Sequence, residues 1–256
     1  MTMMKTAAHT RPRLRLLQPS LAALLAALPL LACSQEPAET ADTDSPYQYT
    51  SRNRDGIGKI YMGREISYVM GHLGAGWLER PSREREERTD LLIDNLPIEP
   101  GDKVADIGAG TGYFSLPMAE QVGDSGKVYA VDIQQEMLDI IALRTEQQGI
   151  TNIERVLAAA DDPRLPANTI DMVLLVDAYH EFEWPYEVMT GIIDSLVSGG
   201  RVVLIEYRGE DPRVPIKRLH KMTEAQARKE LAALGLMFEE NRDLLPQQHF
   251  LVFRKP

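Results

Sequence analysis

Gly108, Gly110 and Gly112 stand two residues apart in VADIGAGTGYFS, residues 104–115, behind a short apolar run that carries one acid, Asp106. Glycines at such a place let the backbone turn sharply and approach a ligand closely, because no Cβ intervenes. A turn of this kind that feeds a helix presents N–H groups to a polar ligand, the arrangement of a nucleotide site. Dinucleotide enzymes use G-x-G-x-x-G, whose third glycine lets the helix pack. Here the spacing is G-x-G-x-G, and Tyr113 fills the slot of that last glycine. Asp106 points the same way, since a buried acid repels a pyrophosphate and attracts an ammonium group.

The elements that must hold this loop follow from periodicity. From Gly101 onward short apolar runs alternate with helical patterns. Strands are expected over 103–107, 127–133, 153–158, 171–176 and 201–207. Helices are expected from the glycines through about Gln121, and over 134–148, 185–197 and 223–234, with Met137, Leu138, Ile141 and Ala142 as one apolar stripe. Residues 237–241 and 249–254 pair as a final antiparallel hairpin. Continuous apolar strands in this alternation predict a parallel sheet covered on both faces. Residues 47–100 read as a cap of two or three helices. One of them is capped by Ser82 and runs through REREERTDLLIDNL until Pro97 and Pro100 close it.

On these residues the chain resembles the class I S-adenosylmethionine-dependent methyltransferases, over roughly Gly101 to the C-terminus. The resemblance implies an α/β fold: a Rossmann-like, mostly parallel sheet with an antiparallel C-terminal hairpin, here preceded by the helical cap. It implies S-adenosyl-L-methionine as cofactor, held by Asp106, Gly108, Gly110, Gly112, Asp132 and Asp161. Asp132 ends the second strand twenty residues after Gly112 and matches the acid that holds both ribose hydroxyls. Asp161 matches the acid that meets the adenine amino group. The fourth strand runs into Asp177-Ala178-Tyr179-His180, where the family places the transferred methyl. His180 and Asp177 are therefore the candidate catalytic residues, with His180 a base or an orienter of the acceptor, or else a packed strand-end residue. Tyr61, Arg64 and Tyr179 are candidate substrate contacts. A long basic connection after the fifth strand, carrying His220, is expected to cross the mouth of the site. Catechol-type relatives hold magnesium at strand ends comparable to Asp177 and Glu206, but the Asp-Asn pair that goes with them is missing, so no metal is expected. The Asn-Pro-Pro-Tyr signature of many amino-group methyltransferases is missing too, which argues against a DNA-adenine or glutamine acceptor. A small molecule is the expected acceptor. Aminopropyl transfer on the same fold, or ligand binding without turnover, are the alternatives.

The net charge of −10 with no long basic run excludes nucleic acid as a principal partner. The N-terminus raises a question of place. Lys5, Arg11, Arg13 and Arg15 precede a 12-residue apolar run, Leu21–Ala32, that ends in LLAC at Cys33, the single cysteine. The run is too short to span a bilayer and has the length of a signal-peptide core. It resembles a bacterial lipobox, which implies a signal peptide over 1–32, lipidation at Cys33 and a flexible tether through residue 46, ahead of the cap and of the methyltransferase domain expected over 101–256. Such a lipoprotein would be anchored to the membrane, facing the periplasm from the outer membrane. With the leader unprocessed it would be cytoplasmic.

Overall fold

The computed structural model describes residues 45–256. The leader, Cys33 and nearly all of the tether lie outside the described residues. The described chain opens with three strands: β1 (Tyr47–Tyr49), β2 (Gly56–Tyr61) and β3 (Arg64–Ser67) form a small antiparallel sheet. The expectation of helices here is corrected. Met62 and Gly63 both have positive φ, 48° and 95°, and make a two-residue hairpin turn that brings Tyr61 opposite Arg64. Tyr47, Tyr61 and Ile66 cluster on one face of this sheet.

Helical structure begins at a 3-10 turn, His72–Gly74, followed by α1 (Ala75–Leu78), α2 (Arg83–Glu87) and α3 (Thr89–Asp94). The single helix expected from Ser82 is broken at Arg88, whose φ is 54°, and the Ser82 side chain makes no cap bond to a backbone amide. Just before the break, the Glu87 side chain is buried and accepts bonds from Arg80, Arg83 and the Tyr207 hydroxyl, so Arg83 and Glu87 form an internal ionic knot while Glu84, Arg85 and Arg88 stay exposed.

The main sheet follows the expected alternation: β4 (Lys103–Ile107), α4 (Ser115–Val122), β5 (Lys127–Asp132), α5 (Gln135–Gln148), β6 (Ile153–Leu157), β7 (Ile170–Val176), α6 (Pro185–Ser195), β8 (Leu196–Tyr207), α7 (Glu224–Ala233), β9 (Met237–Asn241) and β10 (Gln248–Arg254). Its order is β6-β5-β4-β7-β8-β10-β9. The first five strands in that order are parallel, and β10 is antiparallel to both neighbours. Strand side chains alternate between faces. Met172 and Leu174 of β7 join Val104, Val128, Val203 and Val252 beneath α3 and α4, while Val173 and Leu175 join Ala105, Val202 and Leu251 beneath α6 and α7. Each such side chain contributes about 1.5–3 kcal/mol on burial. Local signals end the helices: Gly149, at φ 69°, closes α5, and the Thr223 hydroxyl caps α7 by accepting from Gln226 N–H at 3.1 Å.

Candidate active site

From β4 the chain winds outward to β5 and β6, and from β7 it winds the other way to β8. The two strands lie side by side, so a crevice opens outside their carboxyl ends, where sheets of this kind bind ligands. A cavity of about 780 Å3 lies there, toward the upper end of the ordinary range for ligand pockets, roughly 300–1,000 Å3.

The glycine turn forms one wall. Gly108, Gly110 and Gly112 have φ of 73°, 53° and 79°, values that side chains with a Cβ rarely adopt. Gly108 and Gly110 line the cavity, and Gly112 does not. A Cβ on Gly112 would meet Leu116 and Ile141 at 2.8 and 3.0 Å, so this glycine lets α4 and α5 close on the turn. Gly108 N–H and Ala109 N–H both donate to Val131 O, which straps the turn to β5. Asp132 lines the cavity, with Oδ2 accepting from Gly110 N–H and Oδ1 from Gln134 N–H, each at 2.9 Å. Burial raises its pKa even though these amides lower it. Each oxygen keeps a lone pair for a ligand hydroxyl. Asp106 is different. It is 2 % exposed, lies outside the cavity wall and accepts from Ser115 Oγ at 2.5 Å. Burial pushes its carboxyl up to about 6, helped by the nearby Asp132 and opposed by the Ser115 bond.

The β7 end forms the second wall. Asp177 has φ 49° and lies half-buried on the cavity wall. Its Oδ2 accepts from Gln248 Nε2 at 2.7 Å, and its Oδ1 has no partner among the described residues. Burial first, then the charges of Glu87 and Glu206, hold this carboxyl well above the usual range. Next along the chain, His180 presents Nδ1 to Glu206 Oε2 at 2.6 Å, and its backbone N–H donates to Glu206 Oε1 at 3.2 Å. Its Nε2 lies 3.2 Å from His220 Nδ1. Burial lowers the His180 pKa, but Glu206 and Glu181 outweigh it and the net shift is upward. The expected crossing of the mouth by the connection after β8 is observed: Pro215, Ile216, Lys217 and His220 line the cavity.

Besides Asp106 and Gly112, four further expected contacts lie away from the cavity wall. Asp161 is exposed in a tight turn, where Ala159 and Asp162 exchange backbone bonds, and its neighbours Ala158, Ala159 and Ala160 line the cavity in its place. Arg64 pairs in bidentate fashion with buried Glu230, at 2.9 and 3.0 Å, and donates to His180 O at 3.0 Å. The Tyr179 hydroxyl donates to the same Glu230 at 2.8 Å, and Tyr61 is buried in the cap. Arg64 thus holds the His180 carbonyl from behind, Tyr179 braces Glu230, and neither lines the cavity. The sequence reading missed Ile133, Met137 and Gln134. Ile133 is 46 % exposed beside Asp132 and, with Met137, gives an apolar slot on the cavity wall. Its signal was an apolar residue directly after a strand-end acid. Gln134 Oε1 accepts from His72 N–H at 2.7 Å and its Nε2 donates to Met70 O at 3.0 Å, which draws the segment before α1 over the cavity.

Parts of the chain are similar to known proteins. A methyltransferase-domain family model matches residues 104–200. The chain is 32% identical over 113 residues to the aklanonic acid methyltransferase DauC of Streptomyces sp. strain C5, covering 43% of this chain and 50% of that protein. It is 28% identical over 152 residues to the ubiquinone/menaquinone biosynthesis C-methyltransferase UbiE of Francisella philomiragia, covering 59% of each. The chain therefore spans about half to three-fifths of the length of these curated relatives. Among solved structures, a SAM-dependent methyltransferase from Aquifex aeolicus superposes with a TM-score of 0.69 at 20% identity, over 73% of this chain and 100% of that one.

Proposed function

We propose, from the premise that residues 104–200 form a class I methyltransferase domain, that this chain is an S-adenosylmethionine-dependent methyltransferase acting on a small molecule. The observation that carries the reading is one cavity with Gly108, Gly110 and Asp132 on one wall and His180, backed by Glu206, on the other. The residues present fit the cofactor. Gly108 and Gly110, at φ 73° and 53°, line the cavity without side chains, so a nucleoside can approach their backbone closely. Asp132 would hold the ribose hydroxyls, and Ile133 and Met137 would face the base. When bound, the cofactor supplies a methyl group already activated as a sulfonium.

The rest of the work falls to positioning. In-line transfer needs the nucleophile held against the methyl, and water kept out. His180, fixed through Glu206, Arg64 and Ser67, is the rigid polar group on the acceptor wall. It orients the acceptor and, where the acceptor is a hydroxyl, takes its proton. DauC and UbiE carry names that describe small acceptors, which supports the same class for this chain. Calorimetric titration with S-adenosylmethionine tests the reading. Asp132→Asn should bind about ten- to a hundredfold more weakly, the worth of hydrogen bonds to an ionised acceptor, about 1.5–3 kcal/mol. Equal affinity of both proteins would remove the ribose assignment.

We further propose that the chain is exported and acylated at Cys33. The support is the basic lead, the 12-residue apolar run and LLAC. Intact-mass analysis should find a chain that starts at a lipid-modified Cys33. An unmodified chain starting at Met1 in the soluble fraction would sink this proposal.

A further inference from the structure

Three electron-pair donors converge at one corner of the cavity. His180 Nε2 lies 3.2 Å from His220 Nδ1, His220 Nδ1 lies 3.3 Å from Glu181 Oε1, and Glu181 Oε1 lies 3.8 Å from His180 Nε2. All three residues face the cavity. Each is held from behind. With Glu206 at Nδ1, the His180 ring carries its proton there, and Nε2 is left as a lone pair in the neutral ring. Met70 N–H donates to Glu181 Oε2 at 2.9 Å, which turns Oε1 toward the two imidazoles. His220 ends a 3-10 turn, Arg218–His220, closed by its N–H donating to Lys217 O at 3.0 Å.

A proton satisfies only part of this corner. A hydrogen bond between the two ring nitrogens uses one proton and leaves the Glu181 oxygen facing the same point. A single cation at the centre satisfies all three atoms together. Ligand atoms about 2.1 Å from a first-row metal stand about 3.0 Å apart at a right angle and about 3.4 Å apart at a tetrahedral angle. The observed edges of 3.2, 3.3 and 3.8 Å need only small side-chain adjustments to reach that range. The charges agree. Glu181 and Glu206 bring two carboxylates to this corner, while the neighbouring Arg64 is committed to Glu230. Two imidazoles and one carboxylate are donors for zinc, iron, manganese, cobalt or nickel rather than for magnesium or calcium. A carboxylate behind a ligating imidazole, as Glu206 stands behind His180, is the recurring outer partner of such sites.

We infer that His180, Glu181 and His220 form a binding site for a first-row divalent transition-metal ion, its remaining positions open to the cavity for an oxygen or nitrogen of the acceptor. The inference rests on reading this corner as the acceptor side. It departs from the expectation of a metal-free site, and it uses neither Asp177 nor Glu206 as a ligand. With the ion seated, the Nε2 lone pair of His180 is engaged, and the metal rather than the imidazole meets the acceptor.

Cobalt(II) is the probe. The chelator-treated protein, titrated with cobalt(II), should take up one equivalent and show ligand-field bands in the visible. His220→Ala and Glu181→Gln should each lose that spectrum. His220 lies on a partly exposed turn, so its replacement spares the core. Glu206→Gln should weaken cobalt binding by about 10–100-fold, the usual effect of an outer partner. Circular dichroism of each variant checks that it is folded. No visible band in the parent protein, or equal uptake by parent, His220→Ala and Glu181→Gln, would overturn the site. A parent protein that binds S-adenosylmethionine and no cobalt would keep the methyltransferase reading and refute the metal.

Discussion

Replacing Asp106 by asparagine should change how stability depends on pH, and the sign follows from where the folded protein moves this carboxyl. Burial raises it from the usual 3.8 to about 6. Between those two values the folded state binds a proton that the unfolded chain has released, so this group makes stability fall as pH rises through the window. Below the window the carboxyl is neutral in both states and costs nothing. Above it the full cost is present and constant. Each pH unit between the two values is worth about 1.4 kcal/mol, so the total is about 3 kcal/mol. That figure is an upper bound, because a buried site relaxes around a charge. Asparagine keeps an oxygen to accept from Ser115 and does not titrate. Urea denaturation of both proteins from about pH 4 to pH 8 gives the stability difference directly, and the other titrating groups largely cancel. The variant's advantage should climb by up to about 3 kcal/mol and level off near pH 7. Any fixed gain or loss from the altered hydrogen bond shifts the curve without changing its shape. A flat difference, or one that falls with pH, would refute the claim that burial outweighs the Ser115 bonds and the Arg83 charge at Asp106.

Gly112→Ala should lower stability by about 1–2 kcal/mol, the cost of a strained positive φ, and leave S-adenosylmethionine affinity unchanged. Its Cβ meets Leu116 Cδ1 and Ile141 Cγ1, both away from the cavity wall. Gly108→Ala should weaken cofactor binding as well, because its Cβ comes within 2.7 Å of a Cβ on Ala178 that has no rotamer to yield. Thermal denaturation and calorimetry separate the two outcomes, and equal losses of affinity would refute the division. Arg64→Met should cost about 3–5 kcal/mol in urea denaturation, the penalty for leaving Glu230 buried without its cation. A variant as stable as the parent would return Arg64 to the list of candidate substrate contacts.

The main sheet was legible because its central strands are buried on both faces and so read as apolar runs, such as MVLLV in β7 and VVLI in β8. The cap was not legible in the same way. The spacing around Tyr61–Met70 carries a helical signal, while the Met62-Gly63 turn that overrides it depends on two positive φ values. Within the site, Asp132 was readable from its place at a strand end. Arg64, Tyr179 and Glu230 were not, because they join segments far apart in the chain. Glu230 looks like a solvated residue on a charged helix, yet its side chain is fully buried and receives both Arg64 and Tyr179. The residue types that suggest chemistry are the same types that satisfy one another when buried.

His180 shows what this hidden scaffolding does. Its carbonyl accepts from Arg64 and from Ser67, its N–H and Nδ1 reach the two oxygens of Glu206, and its Nε2 faces His220. These partners come from β3, β8 and the connection after β8, so a small cap, a central strand and a crossing loop all fix one ring. The nucleoside wall is tied to the same assembly through Gln134. Its backbone N–H holds Asp132, and its side chain grips Met70 and His72. Met70 N–H in turn holds Glu181. A bond network therefore runs from the acid expected to hold the cofactor's ribose to the carboxylate beside the two histidines. Both walls are set by contacts made before any ligand arrives. Preorganisation of this kind lets binding energy go into aligning the two reactants instead of ordering the protein around them.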